Sequence, residues 1–211
     1  MGIPLLAGLR FGRPYESLDT AELRDHRTGE TLLTVSQVNA GILRKDLAKV
    51  GEHFEKLQAV PAVKLLEISR KAGELFMRAA LPFGLDGQPQ TPEQYIECLS
   101  RTSGLPFNMC RRNMAKIHQV FSELPTILKG LTRGLDLGIL DNGFGEQSGV
   151  PLSYFPATQA LGVVLPSNSP GVNSLWMPAI ALKIPVVLKP GREEPWTPWR
   201  IIPAFIAAGC P

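Results

Sequence analysis

The chain has 211 residues, 44% hydrophobic and 19% charged, with a net charge of +3; this is an ordinary globular composition, long enough to bury one core or one core plus part of another. No Lys/Arg block marks a nucleic-acid surface and no apolar run approaches the ~20 residues that span a bilayer, so neither nucleic acid nor membrane is an expected partner. Cys98, Cys110 and Cys210 stand at unrelated spacings, as do His26, His53 and His118, so no disulfide framework or metal site is expected, and the compartment reads as reducing and cytoplasmic.

The opening MGIPLLAGLRFGRP lacks the apolar core and cleavage site of a signal peptide. Residues 21–35 alternate around Arg27-Thr28-Gly29-Glu30, with Leu23 and Asp25 before it and Leu32, Leu33 and Val35 after it. That pattern predicts a β-hairpin. From 40 to 58, Leu43, Leu47, Val50, Phe54 and Leu57 recur in steps of four and three, which predicts one amphipathic helix with Glu52 and Lys56 paired on its wet side. A second helix is expected over 62–80, burying Leu65, Ile68, Ala72, Leu75 and Ala79. Leu81–Gln90 reads as a Pro/Gly-rich loop. Thr91-Pro92-Glu93-Gln94 then carries a capping box with proline at the first helical position, opening a short helix to about Ser100.

After the break at Gly104-Leu105-Pro106, a longer helix carries Met109, Ile117, Val120, Phe121 and Leu124. Pro125 to Val150 is Gly-rich and reads as loop. Within it, Gly143-Phe144-Gly145-Glu146-Gln147-Ser148-Gly149 looks like a dinucleotide glycine loop. Its third glycine is one place late, no strand precedes it and no helix follows directly, so it reads as a flexible connector. Leu152–Phe155 is an expected strand.

Two β-branched strands follow, Val163–Leu165 and Val186–Leu188, joined by a helix-length crossover. Such a βαβ unit binds ligands where its strands end. The first strand ends in Pro166-Ser167-Asn168-Ser169-Pro170, the second in Lys189-Pro190-Gly191. Asn168 at a strand's carboxyl end can donate to a developing oxyanion, or simply serve as a turn residue. Lys189 and Arg192 read equally as ligand-binding cations or as solvated ones. Trp196 and Trp199 offer either stacking on an adenine or core packing. Thr197-Pro198 opens a last helix to Ala208, stopped by Gly209.

Taken together these segments resemble the cofactor-binding half of the aldehyde dehydrogenase superfamily. Gly162-Val163-Val164-Leu165-Pro166-Ser167-Asn168-Ser169-Pro170 is similar to that family's strand followed by Pro-Trp-Asn-x-Pro. Pro178-Ala179-Ile180-Ala181 is similar to its Pro-Ala-Leu-Ala helix segment. Val186 to Pro190 and Ala207-Ala208-Gly209-Cys210-Pro211 are similar to its Val-Val-Leu-Lys-Pro and Ala-Gly-x-Pro. Asp25–Val35 and the two helices after it fit the family's entry more loosely. The resemblance implies an α/β fold: a helical lead-in with a β-hairpin over 1–150, then over 151–211 the first βαβα of a Rossmann-type NAD(P)-binding sheet, left incomplete.

The resemblance gives Asn168 the oxyanion-stabilising amide and Lys189 a contact to the adenosine ribose. Leu165, Pro166 and Ser167 would line the nicotinamide side by backbone, with Gly191 and Arg192 completing the groove. Three departures stand out. Ser167 replaces the family's Trp, Lys183-Ile184 replaces Gly-Asn before the second strand, and Arg192 replaces an acidic ribose-binding residue, which favours a 2′-phosphate and hence NADP alongside NAD. The family's nucleophilic cysteine and general-base glutamate lie well downstream of the Lys-Pro motif and have no counterpart here; none of the three cysteines occupies the nucleophile's place.

The implied function is the amino-terminal part of an NAD(P)-dependent oxidoreductase, a homo-oligomer in full, oxidising an aldehyde through a cysteine thiohemiacetal. The family's acyl-CoA reductase branch is the alternative, since Pro-Ser-Asn-Ser-Pro without Trp and Ser103-Gly104-Leu105-Pro106 before a helix look like that branch. A non-catalytic short homologue acting as a binding partner is a third reading. The 211-residue chain on its own is expected to be aggregation-prone and catalytically silent, because open sheet edges are left unpaired. NAD(P)-dependent turnover of an aldehyde by this chain would refute that expectation.

Overall fold

Strands β1 (Leu5–Leu6), β2 (Gly8–Arg10), β3 (Arg13–Tyr15), β4 (Thr20–Arg24) and β5 (Thr31–Ser36) open the chain in the structure, a computed structural model that describes residues 3–211. The expected hairpin is β4–β5, antiparallel, with Leu23 opposite Leu33 and both buried. Asp25 builds its turn by accepting from the Arg27 N–H at 2.8 Å, and its second oxygen takes Arg101 Nε at 2.7 Å. These donors hold the Asp25 carboxyl below the ordinary carboxylate range. Strand β1 joins β5 in parallel, giving the order β1-β5-β4, while β2 and β3 pair with each other.

The helix expected over 40–58 is two helices, α1 (Ala40–Leu47) and α2 (Val50–Gln58). Asp46 accepts the Lys49 N–H at 2.9 Å, a three-residue bond that tightens and ends α1. The same Asp46 takes both Nε and a terminal nitrogen of Arg10 from β2, at 2.8 and 2.6 Å. Of the apolar stripe only Leu57 is buried; Leu43 and Leu47 are exposed. Periodicity marks an apolar face but not what covers it. Glu52 and Lys56 form no ion pair among the described residues.

Helix α3 (Ala62–Arg78) buries Leu65, Ile68 and Ala72 as expected, and Phe76 where Leu75 was expected to lead. The Pro/Gly loop after it is a short hairpin, β6 (Leu81–Phe83) with β7 (Gln88–Gln90). Helix α4 (Pro92–Ser103) starts at the expected capping box, with Gln94 N–H donated to Thr91 Oγ1 at 3.2 Å and Thr91 N–H to Gln94 Oε1 at 2.8 Å. Helix α5 (Phe107–Leu131) runs on through Pro125. Interior proline costs about 3 kcal/mol, but Leu124 and Leu128 are both wholly buried, and two buried leucines offset that at roughly 1.5–3 kcal/mol each.

After α6 (Ile139–Asn142), the segment read as a flexible connector is a hairpin of β8 (Phe144–Gln147) and β9 (Val150–Ser153). Ser148 and Gly149 close it with φ of +53° and +78°, the left-handed pair of a two-residue turn. Then come β10 (Leu161–Val164), a 3-10 helix (Pro170–Leu175), α7 (Pro178–Ala181), β11 (Val186–Lys189) and α8 (Trp196–Ala208). The crossover between β10 and β11 is thus one 3-10 segment and one α-helical turn, not a single helix.

Lys183 ends α7 with φ +64°. Its N–H reaches Ile180 O and that of Ile184 reaches Ala179 O, the bonds of a helix terminus that glycine usually serves. A lysine tolerates the strain because its buried ammonium is held by Asp141 and by Gln58 O, while Gln58 Nε2 donates to Lys183 O at 2.9 Å. Asp141 also accepts the Ala62 N–H at the start of α3. One ion pair therefore ties the ends of α2, α3, α6 and α7 together.

Helix α3 packs between α5 and α8, and Phe76, Tyr95, Phe121 and Phe205 fill the space between them. A Cβ at Gly73 would lie 2.6 Å from Phe121 Cβ, so only glycine admits that ring. Arg200 of α8 is 1% exposed and has no carboxylate partner among the described residues. It donates instead to Phe76 O at 3.0 Å, Gln90 O at 2.9 Å and Ala79 O at 2.6 Å. Two of these carbonyls end α3, where the helix dipole favours a cation. Burial lowers the guanidinium to about 10, still charged at neutral pH. Replacing Arg200 by Met, which fills the space but strands three carbonyls, should cost about 3–5 kcal/mol in urea unfolding; a loss below about 1 kcal/mol would contradict this role.

Candidate functional site

Two parallel strands place the candidate residues. β10 and β11 pair from Leu161↔Val186 to Val164↔Lys189, and the Leu165 N–H continues the ladder to Lys189 O at 2.9 Å. Both strands therefore end level, and the turns that leave them start side by side. The turns then touch. A Cβ on Gly191 would lie 2.5 Å from the carbonyl carbon and oxygen of Pro166 and 2.6 Å from Ser167 N, closer than any real side-chain carbon approaches backbone. Ser167 Oγ accepts the Glu193 N–H at 3.3 Å, closing the seam.

Of the residues singled out from sequence, Leu165, Pro166, Ser167 and Gly191 form this junction, and Lys189 enters it through its carbonyl. The Leu165 side chain is buried and its N–H is committed to Lys189, so its carbonyl is the group it can offer a ligand. Asn168, Lys189 and Arg192 are exposed around the junction. The Arg192 side chain is 81% exposed, 3.9 Å from the Glu193 carboxylate. An amide, an ammonium and a guanidinium beside one carboxylate suit an anionic ligand that also carries hydroxyls.

Two features were not foreseen from sequence. Helix α8 begins at Trp196, not at a Thr197 cap, and Thr197 is wholly buried. The capping group is Glu194, also wholly buried, whose Oε1 accepts the Thr197 N–H at 2.8 Å. The signal was present as Glu194 three residues before Thr197, but Thr-Pro is the stronger start pattern and drew the boundary. An acidic side chain does stand next to Arg192, since Glu193 is half-exposed beside it.

The side of the turns away from solvent is a polar network. Asn173 of the 3-10 helix donates to Pro170 O at 3.0 Å, faces Glu194 Oε2 at 3.5 Å, and accepts from Trp176 Nε1 at 3.0 Å. Thr197 Oγ1 meets the Tyr95 hydroxyl at 2.7 Å. Thr102 of α4 donates to Glu193 O at 2.6 Å and accepts from Trp196 Nε1 at 2.8 Å. Burial pushes the Glu194 carboxyl up to about 7 and the Tyr95 hydroxyl well above its ordinary value.

Trp196 stacks on Phe83 at 5.4 Å and Trp199 meets the same ring edge-on, so both indoles are packing residues. Burial raises Cys98, Cys110 and Cys210 each to about 11, which keeps these thiols protonated and unreactive at neutral pH. A cavity of about 210 Å³ lined by Gln58, Leu140, Tyr154, Phe155 and Leu182 contains none of the junction residues.

No protein-family model matches the chain, and no curated protein sequence matches it. Solved structures do match its fold. One is a provisionally named methylmalonate-semialdehyde dehydrogenase from Sinorhizobium meliloti 1021, complexed with NAD, at TM-score 0.73 and 20% identity over 100% of this chain and 40% of that one. A succinate-semialdehyde dehydrogenase from Burkholderia pseudomallei matches at TM-score 0.72 and 16% identity, over 99% and 40%. An NADP dependent enzyme from E. coli matches at 0.71 and 16%, again over 99% and 40%. The chain thus spans about 40% of the length of these structures.

Proposed function

We propose that this chain, whose fold is that of the amino-terminal region of aldehyde dehydrogenases, is the cofactor-binding part of an NAD(P)-dependent oxidoreductase acting on an aldehyde. The observation that carries the proposal is the backbone junction at Gly191. It fuses two turns into one site at the carboxyl ends of parallel strands, where such sheets bind nucleotides. The donor set fits the group: Lys189 would hydrogen-bond the adenosine ribose, Arg192 would meet a 2′-phosphate, and Pro166 and Ser167 would line the nicotinamide side with the Leu165 carbonyl. Asn168 donates its amide to the substrate oxygen as negative charge develops there. Bound in this groove, the nicotinamide would take up the substrate's hydride. Domain organisation follows: residues 1–150 form a helical lead-in that braces the groove, and 151–211 supply it. A homo-oligomeric, cytoplasmic protein is the setting this reading expects.

An acyl thioester is the second substrate class. It is favoured by Ser167, whose hydroxyl seals the junction to Glu193 N–H where an indole would form a wall, leaving the groove more open. The protein tested with an acyl-CoA plus NADPH against an aldehyde plus NAD(P) separates the two.

Arg192 decides between the cofactors. We expect fluorescence titration of the chain to give NADPH affinity at least equal to that for NADH, and Arg192→Glu to weaken NADPH about tenfold while sparing NADH, the cost of one lost charge-assisted pair. A strong NADH preference unchanged by Arg192→Glu would remove phosphate recognition from this residue.

A further inference from the structure

The two turns of the groove meet in front at Gly191, and a second connection joins them from behind. The 3-10 helix that leaves the Asn168 turn carries Asn173, and the segment that leaves the Lys189 turn carries Glu194. Their side chains face each other across 3.5 Å inside the protein, where both are wholly buried. The Glu194 carboxylate spans the gap, with one oxygen at the N-terminus of α8 on Thr197 N–H and the other toward Asn173. No cation among the described residues pairs with it; its polar partners are Thr197 and Asn173, and the titratable groups near it are Tyr95 of α4 and Cys110 of α5. A buried carboxylate without a cation is costly to keep. An apolar residue here would leave Thr197 N–H unpaired and remove the one polar contact across the gap, since Asn173 would keep only Pro170 O and Trp176 Nε1 on its own segment.

We propose that Glu194 is a positioning residue: by bridging Asn173 and the start of α8, it sets the separation of the two turns and so the width of the candidate cofactor groove. This rests on the cofactor reading above for its meaning, though not for its geometry. Glu194 touches no ligand. It acts through Asn173 on the Leu165–Asn168 turn and through the α8 N-terminus on the Lys189–Glu193 turn. Of the two adjacent glutamates, Glu194 thus faces inward as a brace, while Glu193 stays at the outer edge beside Arg192.

The bridge is tested by exchanging donor and acceptor. Asn173→Asp keeps shape and volume but sets a second carboxyl against Glu194, and in alkaline buffer, above the value of about 7 to which burial raises Glu194, the two repel rather than share a proton. Hydrogen exchange should quicken at Ser167, Asn168 and Gly191–Glu193, and NADPH affinity should fall about tenfold, within the range of coupling between contacting residues. Adding Glu194→Gln to Asn173→Asp restores a donor facing an acceptor across the bridge, while the Asn173 bond to Pro170 O stays lost; exchange at both turns should recover most of the way towards the wild-type rate, and affinity to within about threefold. If Asn173→Asp fails to fold, the double variant and Glu194→Gln alone carry the same comparison, since Glu194→Gln sets two amides face to face and should loosen the turns less than Asn173→Asp but more than the double variant. Unchanged exchange at both turns in every variant would overturn the proposal. A wild-type chain that binds no NADPH but shows the exchange pattern would instead retire the cofactor reading and leave the brace intact.

Discussion

The site depends on one steric constraint: at Gly191 there is no room for even a single side-chain carbon. The Pro166 carbonyl and Ser167 nitrogen occupy that space, so the loop after β11 lies directly on the turn after β10. The level strand ends and the Leu165–Lys189 bond bring the two turns side by side, and the Ser167–Glu193 seam closes on that contact. Two turns that would otherwise be independent surface loops are joined, with Asn168, Lys189 and Arg192 exposed around the junction. Preorganisation of this kind is what gives a small donor set useful affinity.

The rest of the chain works as a scaffold for that contact. Helix α4 braces it directly, since Thr102 holds the Glu193 carbonyl and Trp196 Nε1 holds Thr102. Helix α8 is fixed to α3 by Arg200, whose charge is met by carbonyls rather than by an acid. On the other side the Lys183–Asp141 pair sets where α7 ends and β11 begins. Each of these long-range anchors uses a buried polar group with its hydrogen bonds satisfied, and such groups fix a unique geometry more than they add stability.

Much of this was legible in the sequence where the signal is local. The Gly29 turn specified the β4–β5 hairpin, Thr91 to Gln94 specified the start of α4, and the β-branched runs at 163 and 186 specified the parallel pair. Chain breaks were less legible because they are settled by tertiary contacts. Pro125 should end a helix on propensity alone, yet burial of Leu124 and Leu128 carries α5 past it. The stripe from Leu43 to Leu57 looked continuous, but Arg10 reaching Asp46 and the tight bond at Lys49 divide it. Ser148-Gly149 was read as part of a loose glycine run because serine does not advertise a left-handed turn residue. The places of Asn168 and Lys189 at the strand ends are legible from the strand pattern. Glu194 is less legible, since its place three residues before Thr197 is a weaker helix-start signal than Thr197-Pro198 itself.

The central claim is that the turns after β10 and β11 form one cofactor groove, and residue-resolved NMR of the chain during NADPH titration tests it most directly. The account predicts amide shifts clustered at Leu165, Ser167 and Asn168 together with Lys189, Gly191 and Arg192, saturating on a single binding curve. Shifts confined to one turn, or centred instead on the cavity beside Tyr154 and Phe155, would contradict it.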